Sequence, residues 1–323
     1  MHQKPGTIKG RTMSATGLRT EQDPKYPLIR HSQSKQPSSW FSLPAPIRAI
    51  FDTFPLTTYN ENELPQRVPR SRSQNTLHIF TLPILDDVTS LSPNPACLKW
   101  QAYLLAKRIP FSIVPANNHA SPTGALPFIL PAVTSKKEPQ PQPISSSKIQ
   151  RWAETQGVSE EQMDMRLEAY MSLIDQNIRS AWLYFLYLQP QNFESVARKL
   201  YVETASSNIL VQTTLAHQLQ AAAREQLLRT RSCIDEDEIY DATEAAFRSL
   251  ATVLGSQRFF SKSGSPGLFD VSLFAYTHLL LGLARQERTE EPVWRNEALL
   301  QILSRHEILV QHRQRVLDYC MGR

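Results

Sequence analysis

Glycine is scarce in this chain: 10 residues of 323, against 23 prolines. Neither G-x-G-x-x-G nor G-x-x-x-x-G-K-[ST] occurs, which removes the commonest phosphate-cradling loops. Cysteine is scarcer still. Cys97, Cys233 and Cys320 are odd in number, far apart and without a C-x-x-C pair. That pattern argues for a reducing compartment and against a disulfide framework or a structural zinc site. Long apolar runs are missing too. The two longest, Ala181–Leu188 and Leu273–Ala284, are too short for a helix to cross a bilayer, which takes about 20 apolar residues. The second run is also interrupted by Thr277 and His278.

A basic body is also lacking. The formal charge is +5, but residues 1–75 hold 11 Lys+Arg against 5 Asp+Glu, and the other 248 residues hold 24 against 25. A nucleic-acid-binding fold needs surplus cations to neutralise phosphates, so no nucleic acid is expected as a partner. Nine prolines lie in that first segment and four more in residues 131–147. The basic surplus suits an appendage that meets an anionic membrane surface or an acidic partner.

What is present falls into three parts. Residues 1–75 read as an arm. Lys4, Lys9, Arg11 and Arg19, with no acid among the first twenty residues, have the charge of a mitochondrial presequence. Pro5, Gly6 and Gly10 break the helix that a presequence needs, which favours a polar tail. Within the arm, WFSLPAPIRAIFDTFPL (40–56) is an apolar strap carrying Trp40, Phe41, Ile47, Phe51 and Phe54. It suits a groove in the chain's own body or a partner-docking peptide.

The second part, 76–150, reads as a strand (Leu77–Leu82), a helix (Pro95–Lys107), a strand (Phe111–Val114) and, after Leu126–Pro127, a third strand (Phe128–Leu130). Strand–helix–strand and then an antiparallel strand is a βαβ unit closing on itself. PAVTSKKEPQPQPISSS (131–147) reads as an exposed loop.

The third part, 151–323, is helical. Leu167, Tyr170, Ile174, Ile178, Trp182 and Phe185 recur at steps of three and four through 161–188. Residues 208–228 align Leu210, Val211, Leu215 and Leu219 on one face. Asp235-x-x-Glu238 has the form of a capping box, and 267–284 is apolar enough for a central buried helix.

A small α/β unit followed by a helical half resembles the glutathione-transferase fold. Leu126–Pro127–Phe128 sits where that fold carries its cis-proline. Pro266–Gly267–Leu268–Phe269–Asp270 resembles the cap of its buried helix, with Gly267 in place of the usual Ser or Thr. Pro127 and Asp270 are therefore the expected structural residues. SPNPACLKWQAYL, NNHASPTGALPFI, RLEAYMSLIDQNIRSAWLYFLYL, ASSNILVQTTLAHQL and PGLFDVSLFAYTHLLL, in that order, resemble the metaxins. They are closest to the fungal peripheral subunits of the mitochondrial sorting and assembly machinery, and FDTFPLTTYNENELP extends the likeness into the strap.

That resemblance implies a non-catalytic subunit on the cytosolic face of the mitochondrial outer membrane. It would bind the β-signal of β-barrel precursor proteins and promote their insertion. Its partners would be the outer-membrane β-barrel core subunit and a second metaxin-like subunit, with peripheral association at the membrane surface. The larger fungal subunit tends to end in a hydrophobic anchor. This chain ends HEILVQHRQRVLDYCMGR and so looks like the tail-less subunit.

The alternative is a divergent glutathione-dependent transferase or thiol enzyme. It needs a donor after the first strand, where the chain has only Ser90 and Ser92, and backbone partners beside the cis-proline. It also needs an acid-Ser pair after the fourth strand, where the chain has Ser145–Ser146–Ser147 and the proline-rich loop displaces the strand. Cys97, near a helix start, reads as a buried hydrophobe rather than a nucleophile. His278 reads as a hydrogen-bonded core residue, Asp86–Asp87 as a turn, and Asp235–Glu238 as a solvated helix start. The aromatic cluster Trp182–Tyr187 reads as helix–helix core or as a partner surface. No catalytic residue, cofactor or metal ligand is assigned.

Overall fold

The computed structural model describes residues 72–81, 91–133, 142–159, 161, 164–283 and 293–322. All of them lie in one compact unit, Tyr59–Arg323. The strap residues Trp40, Phe41, Ile47, Phe51 and Phe54 lie outside the described residues, as do Asp86, Asp87 and Ser90.

Four strands form one sheet in the order β2–β1–β3–β4. β1 (Asn75–Ile79) runs parallel to β2 (Phe111–Pro115) and antiparallel to β3 (Phe128–Leu130), with His78 opposite Phe128. β1 starts two residues earlier and stops three residues sooner than the apolar pattern predicts. The start is set by Asn75, whose side chain donates to the Pro110 carbonyl (3.1 Å) and accepts from Ala132 N–H (2.9 Å). A short polar side chain thus ties three strand ends, which an apolar count does not register. β4 (Ile144–Ser145) pairs with β3 inside the stretch read as loop, so the fourth strand is shortened rather than displaced. Two residues bounded by serines and prolines give too little alternation to read as a strand.

α1 (Pro95–Ala106) makes the crossover between the parallel strands β1 and β2. Asn94 caps it, accepting from Ala96 and Cys97 N–H (3.0 and 3.2 Å), and Pro95 takes the first helical position, where no donor is needed. α2 (Ile149–Thr155) follows β4.

The helical half begins with α3 (165–188), capped by Asp164 and containing wider i→i+5 turns at Leu173–Ile178 and Tyr184–Leu188. Those turns rotate the apolar stripe and keep Ile174, Ile178, Trp182 and Phe185 buried along one helix. Gln189 is extended, and Pro190 starts α4 (190–202). α5 (Ile209–Leu228), α6 (Glu236–Leu254), α7 (Leu268–Gly282), α8 (Ala298–Ser304) and α9 (Glu307–Met321) complete the fold.

α7 is the axis of the molecule. Phe269, Val271, Leu273, Phe274, Ala275, Leu279 and Leu280 are buried all round it, and α1 and α9 pack on it. Only a helix apolar on every side can hold that place. On α5 the expected alignment holds for Leu215 and Leu219, which pack against the core, and fails at the helix tip. Leu210 and Val211 are exposed, and the buried face is Ala216, Ala223 and Leu227. Small alanines let α5 approach α3. Among the described residues no helix is long and apolar enough to cross a membrane.

Candidate functional site

His78 faces Phe128 and Phe128 faces Ser145, so the segment after β1, the segment before β3 and the turn after β4 meet at one end of the sheet. α1 begins there. This is where a glutathione enzyme of this fold would hold its thiol.

Ser92 is fully buried at this end. Its hydroxyl donates to the Phe80 carbonyl (2.6 Å) and accepts from Asn94 N–H (3.2 Å), while its own N–H donates to Gln101 Oε1 (2.9 Å). The hydroxyl and N–H of Ser92 are both committed to holding the connection onto α1. Cys97 lies in the first turn of α1 with no exposure. Burial pushes its thiol up to about 11, against a smaller downward pull from the Phe80 carbonyl and Ser92. A thiol held that high is neutral at physiological pH and not nucleophilic.

This gives a direct expectation. Native protein at pH 8 should react with a chromogenic disulfide at one thiol, exposed Cys233, because Cys320 is also buried and pushed up to about 12. All three should react in denaturant. Rapid labelling of Cys97 in the native state would overturn the structural role given to it.

Sequence reasoning missed two residues here. Tyr201 from α4 reaches the start of α1, with its ring 4.9 Å from Phe80 and its hydroxyl 3.4 Å from the Pro93 carbonyl. Tyr187 lies beside it at 6.2 Å. Burial raises both phenols, Tyr187 to about 12 and Tyr201 well above the usual value, so both remain protonated. No local signal links residues 187 and 201 to residue 93; only the fold joins them.

The Leu126–Pro127 peptide bond is cis. Beside it, Leu126 N–H, the donor that a peptide ligand would use, is taken by Asn118 Oδ1 at 3.2 Å. Asn118 opens a single helical turn (Asn118–Ala120) in the β2–β3 connection. After β4, the Ser145 and Ser147 hydroxyls lie 3.2 Å apart in the turn Ser146–Lys148, with no carboxylate in the segment. Among the described residues, Ser92, the Leu126 N–H and the Ser145–Ser147 hydroxyls are thus each engaged within the chain.

Asp270 is fully buried at the start of α7. Oδ1 accepts from Phe260 N–H (2.8 Å) and pairs with His312 Nε2 (2.8 Å); Oδ2 accepts from Ser261 (3.1 Å) and Gly267 N–H (2.9 Å). A carboxylate only accepts, so Nε2 carries the proton. Nδ1 of His312 is buried without a hydrogen-bond partner among the described residues.

Gly267 has no side chain with which to cap α7. In its place Glu161 Oε1 accepts from Leu268 N–H (2.8 Å), from 107 positions earlier in the chain. Glu161 Oε2 lies 3.5 Å from Lys107 Nζ at the end of α1. That separation makes an ion pair without a hydrogen bond. A Cβ at residue 267 would collide with the Glu161 carboxylate.

The remaining candidates are structural. Trp182 meets Tyr276 and Trp294 edge-on (6.0 and 5.7 Å), Phe185 packs on Trp294 (4.7 Å), and Trp294 Nε1–H donates to the Leu280 carbonyl (3.0 Å). Trp182 and Phe185 are therefore interior, not a partner surface. His278 departs from expectation. Its ring packs on Phe274 (4.8 Å), but Nδ1 has no hydrogen-bond partner among the described residues, and burial, reinforced by Arg313, lowers it to about 3. Asp235 caps α6 through Glu238 N–H (2.9 Å), and Glu236 accepts from Tyr184 (2.9 Å). Among the described residues no group of His, Cys, Asp and Glu could hold a metal ion.

This fold is glutathione-transferase-like. Residues 95–192 match the glutathione S-transferase N-terminal domain family, and residues 243–316 match the glutathione S-transferase C-terminal domain family. No curated protein matches the chain. Similar solved structures include a glutathione S-transferase from Methylobacterium radiotolerans in complex with glutathione sulfonate, with 18% identity, 75% of this chain and 89% of that chain covered, and TM-score 0.40. A β-etherase from Sphingobium shows 16% identity, 77% and 100% coverage, and TM-score 0.42. A glutathione transferase family member from Pseudomonas fluorescens with two glutathione bound shows 13% identity, 85% and 94% coverage, and TM-score 0.43.

Proposed function

We propose that this chain is a glutathione-transferase-like protein turned adaptor: a non-catalytic subunit of the machinery that sorts and assembles β-barrel proteins at the mitochondrial outer membrane. It works on the cytosolic face, beside the outer-membrane β-barrel core subunit and a second metaxin-like subunit, and receives the β-signal of precursor proteins. One observation supports this above the others. Leu126 N–H, the backbone donor beside the cis-proline, is bonded to Asn118, and Ser92 and Cys97 beside it are buried, so this end of the sheet is held together from within the chain. Binding an amphipathic strand needs no nucleophile. It needs backbone pairing and alternating apolar pockets.

Site-specific photocrosslinking with a peptide carrying a β-barrel carboxy-terminal β-signal tests the reading. The signal peptide should label the chain well above a scrambled peptide; equal labelling by both removes the receptor role. The rival reading, a glutathione-dependent enzyme, draws on the two family matches. It requires retention on glutathione resin and thiol-transfer activity lost on replacing Ser90 or Ser92. That result would displace the adaptor.

A further inference from the structure

Exposed aliphatic side chains gather at one place. Of the six large apolar residues that stand out in solvent among the described residues, three are consecutive at the start of α5: Ile209 (72% exposed), Leu210 (75%) and Val211 (43%). Single exposed leucines need no explanation, but three adjacent ones at a helix tip form a patch. The surrounding sequence is unusual in a second way. Between Glu203 and Arg224 there is no Asp, Glu, Lys or Arg, in a chain with 20% charged residues.

The tip also carries its own capping hydrogen bonds. Asn208 Oδ1 accepts from Leu210 and Val211 N–H (2.9 and 3.4 Å), and Gln212 N–H donates to the Asn208 carbonyl (2.9 Å). Ser206 Oγ accepts from Asn208 N–H (3.1 Å), and Gln212 Nε2 donates to the Ser206 carbonyl (2.8 Å). Thr213 and Thr214 hydroxyls donate back to the Ile209 and Leu210 carbonyls (2.8 and 2.9 Å). Helix starts normally leave backbone donors that water must satisfy. Here Asn208 satisfies the N–H groups of Leu210 and Val211, which lowers the cost of bringing this turn into a medium poor in water.

We infer that the start of α5, residues 206–214, dips into the interfacial layer of a lipid bilayer, with Ile209, Leu210 and Val211 entering the acyl boundary. Lipid suits this tip better than a protein partner does. Protein interfaces draw their binding energy from Trp, Tyr and Arg anchors within a polar rim, and 204–223 contains none of the three. Having no charge, the tip enters without stripping water from an ion. Three aliphatic side chains give weak, reversible association that adds to other contacts rather than replacing them. The inference rests on the membrane-surface part of the adaptor reading and assigns it a surface.

Flotation of the full chain with phosphatidylcholine vesicles is the test, because zwitterionic lipid removes the pull of the basic arm. The parent should float with the vesicles at low and high salt alike. Ile209→Ser/Leu210→Ser/Val211→Ser should lower partition by about tenfold or more, since each buried methylene contributes a few-fold in affinity. Its thermal melt should be unchanged, because these side chains are exposed. Flotation of the triple variant equal to the parent overturns the inference and moves the contact elsewhere in the chain. Failure of the parent to float overturns it as well, while β-signal crosslinking in the same preparation would leave the adaptor standing. A triple variant that floats normally but loses a protein of the complex overturns it in favour of a protein partner.

Discussion

Asp270→Ala is expected to lower the unfolding free energy by about 3–5 kcal/mol, the cost of breaking a buried charged network by removing one partner. Four hydrogen bonds converge on this carboxylate, two on each oxygen. Truncation leaves three backbone N–H groups and the His312 imidazole without an acceptor, at a site with no exposure to water. Each orphaned donor costs about 1–3 kcal/mol in a dry interior. Because Phe260 and Ser261 belong to the loop ahead of α7, the loss also releases that loop from the helix.

Urea titration followed by circular dichroism should show a lowered midpoint. Asp270→Asn, which keeps one carbonyl oxygen but turns donors toward donors, should fall between alanine and the parent. His312→Ala should cost less than Asp270→Ala, and the double variant less than the sum, because both remove the same bond. A midpoint shift equivalent to under about 1 kcal/mol for Asp270→Ala would show that the network does not hold the helix start.

Gly267→Ser should destabilise the protein by about 1–2 kcal/mol even though serine is a better helix cap than glycine. The new Cβ would occupy the position of the Glu161 carboxylate, which must then release both Leu268 N–H and its pairing with Lys107. Glu161→Ala should cost about the same, by uncapping Leu268 and stranding a mostly buried ammonium. The combination should cost clearly less than the sum of the two losses, because the serine hydroxyl then caps α7 in space that the glutamate has vacated, while Lys107 still lacks its partner. A double-mutant cycle on unfolding midpoints measures this. Additive losses would defeat the idea that Glu161 stands in for the missing cap.

The order of elements was readable because each leaves a local trace. Pro95 behind Asn94, Asn208 ahead of α5, and Asp235 three residues before Glu238 are helix starts written in adjacent residues. α7 betrays itself by having no polar face. What escaped reading is long-range. Nothing near Gly267 announces Glu161, nothing near Leu126 announces Asn118 as the acceptor for its N–H, and nothing near Pro93 announces Tyr201. β4 was hidden because a two-residue strand has no period. α5 misled at its tip, where Leu210 and Val211 stay outside while Ala216 and Ala223 join Leu215, Leu219 and Leu227 on the inner face. Of the site, Asp270 and Pro127 were legible as single residues, but the network around each was not.

The Asn118 carboxamide has a consequence for how this protein behaves in a changing cell. A groove closed by a dissociable ligand gains stability as that ligand becomes abundant and loses it as the ligand is depleted. Here the closing acceptor is part of the same chain, 8 residues from the donor it satisfies. No change in solution can dilute it. The hydrogen bond beside the cis-proline is therefore supplied by the chain's own sequence and does not depend on the concentration of a small thiol.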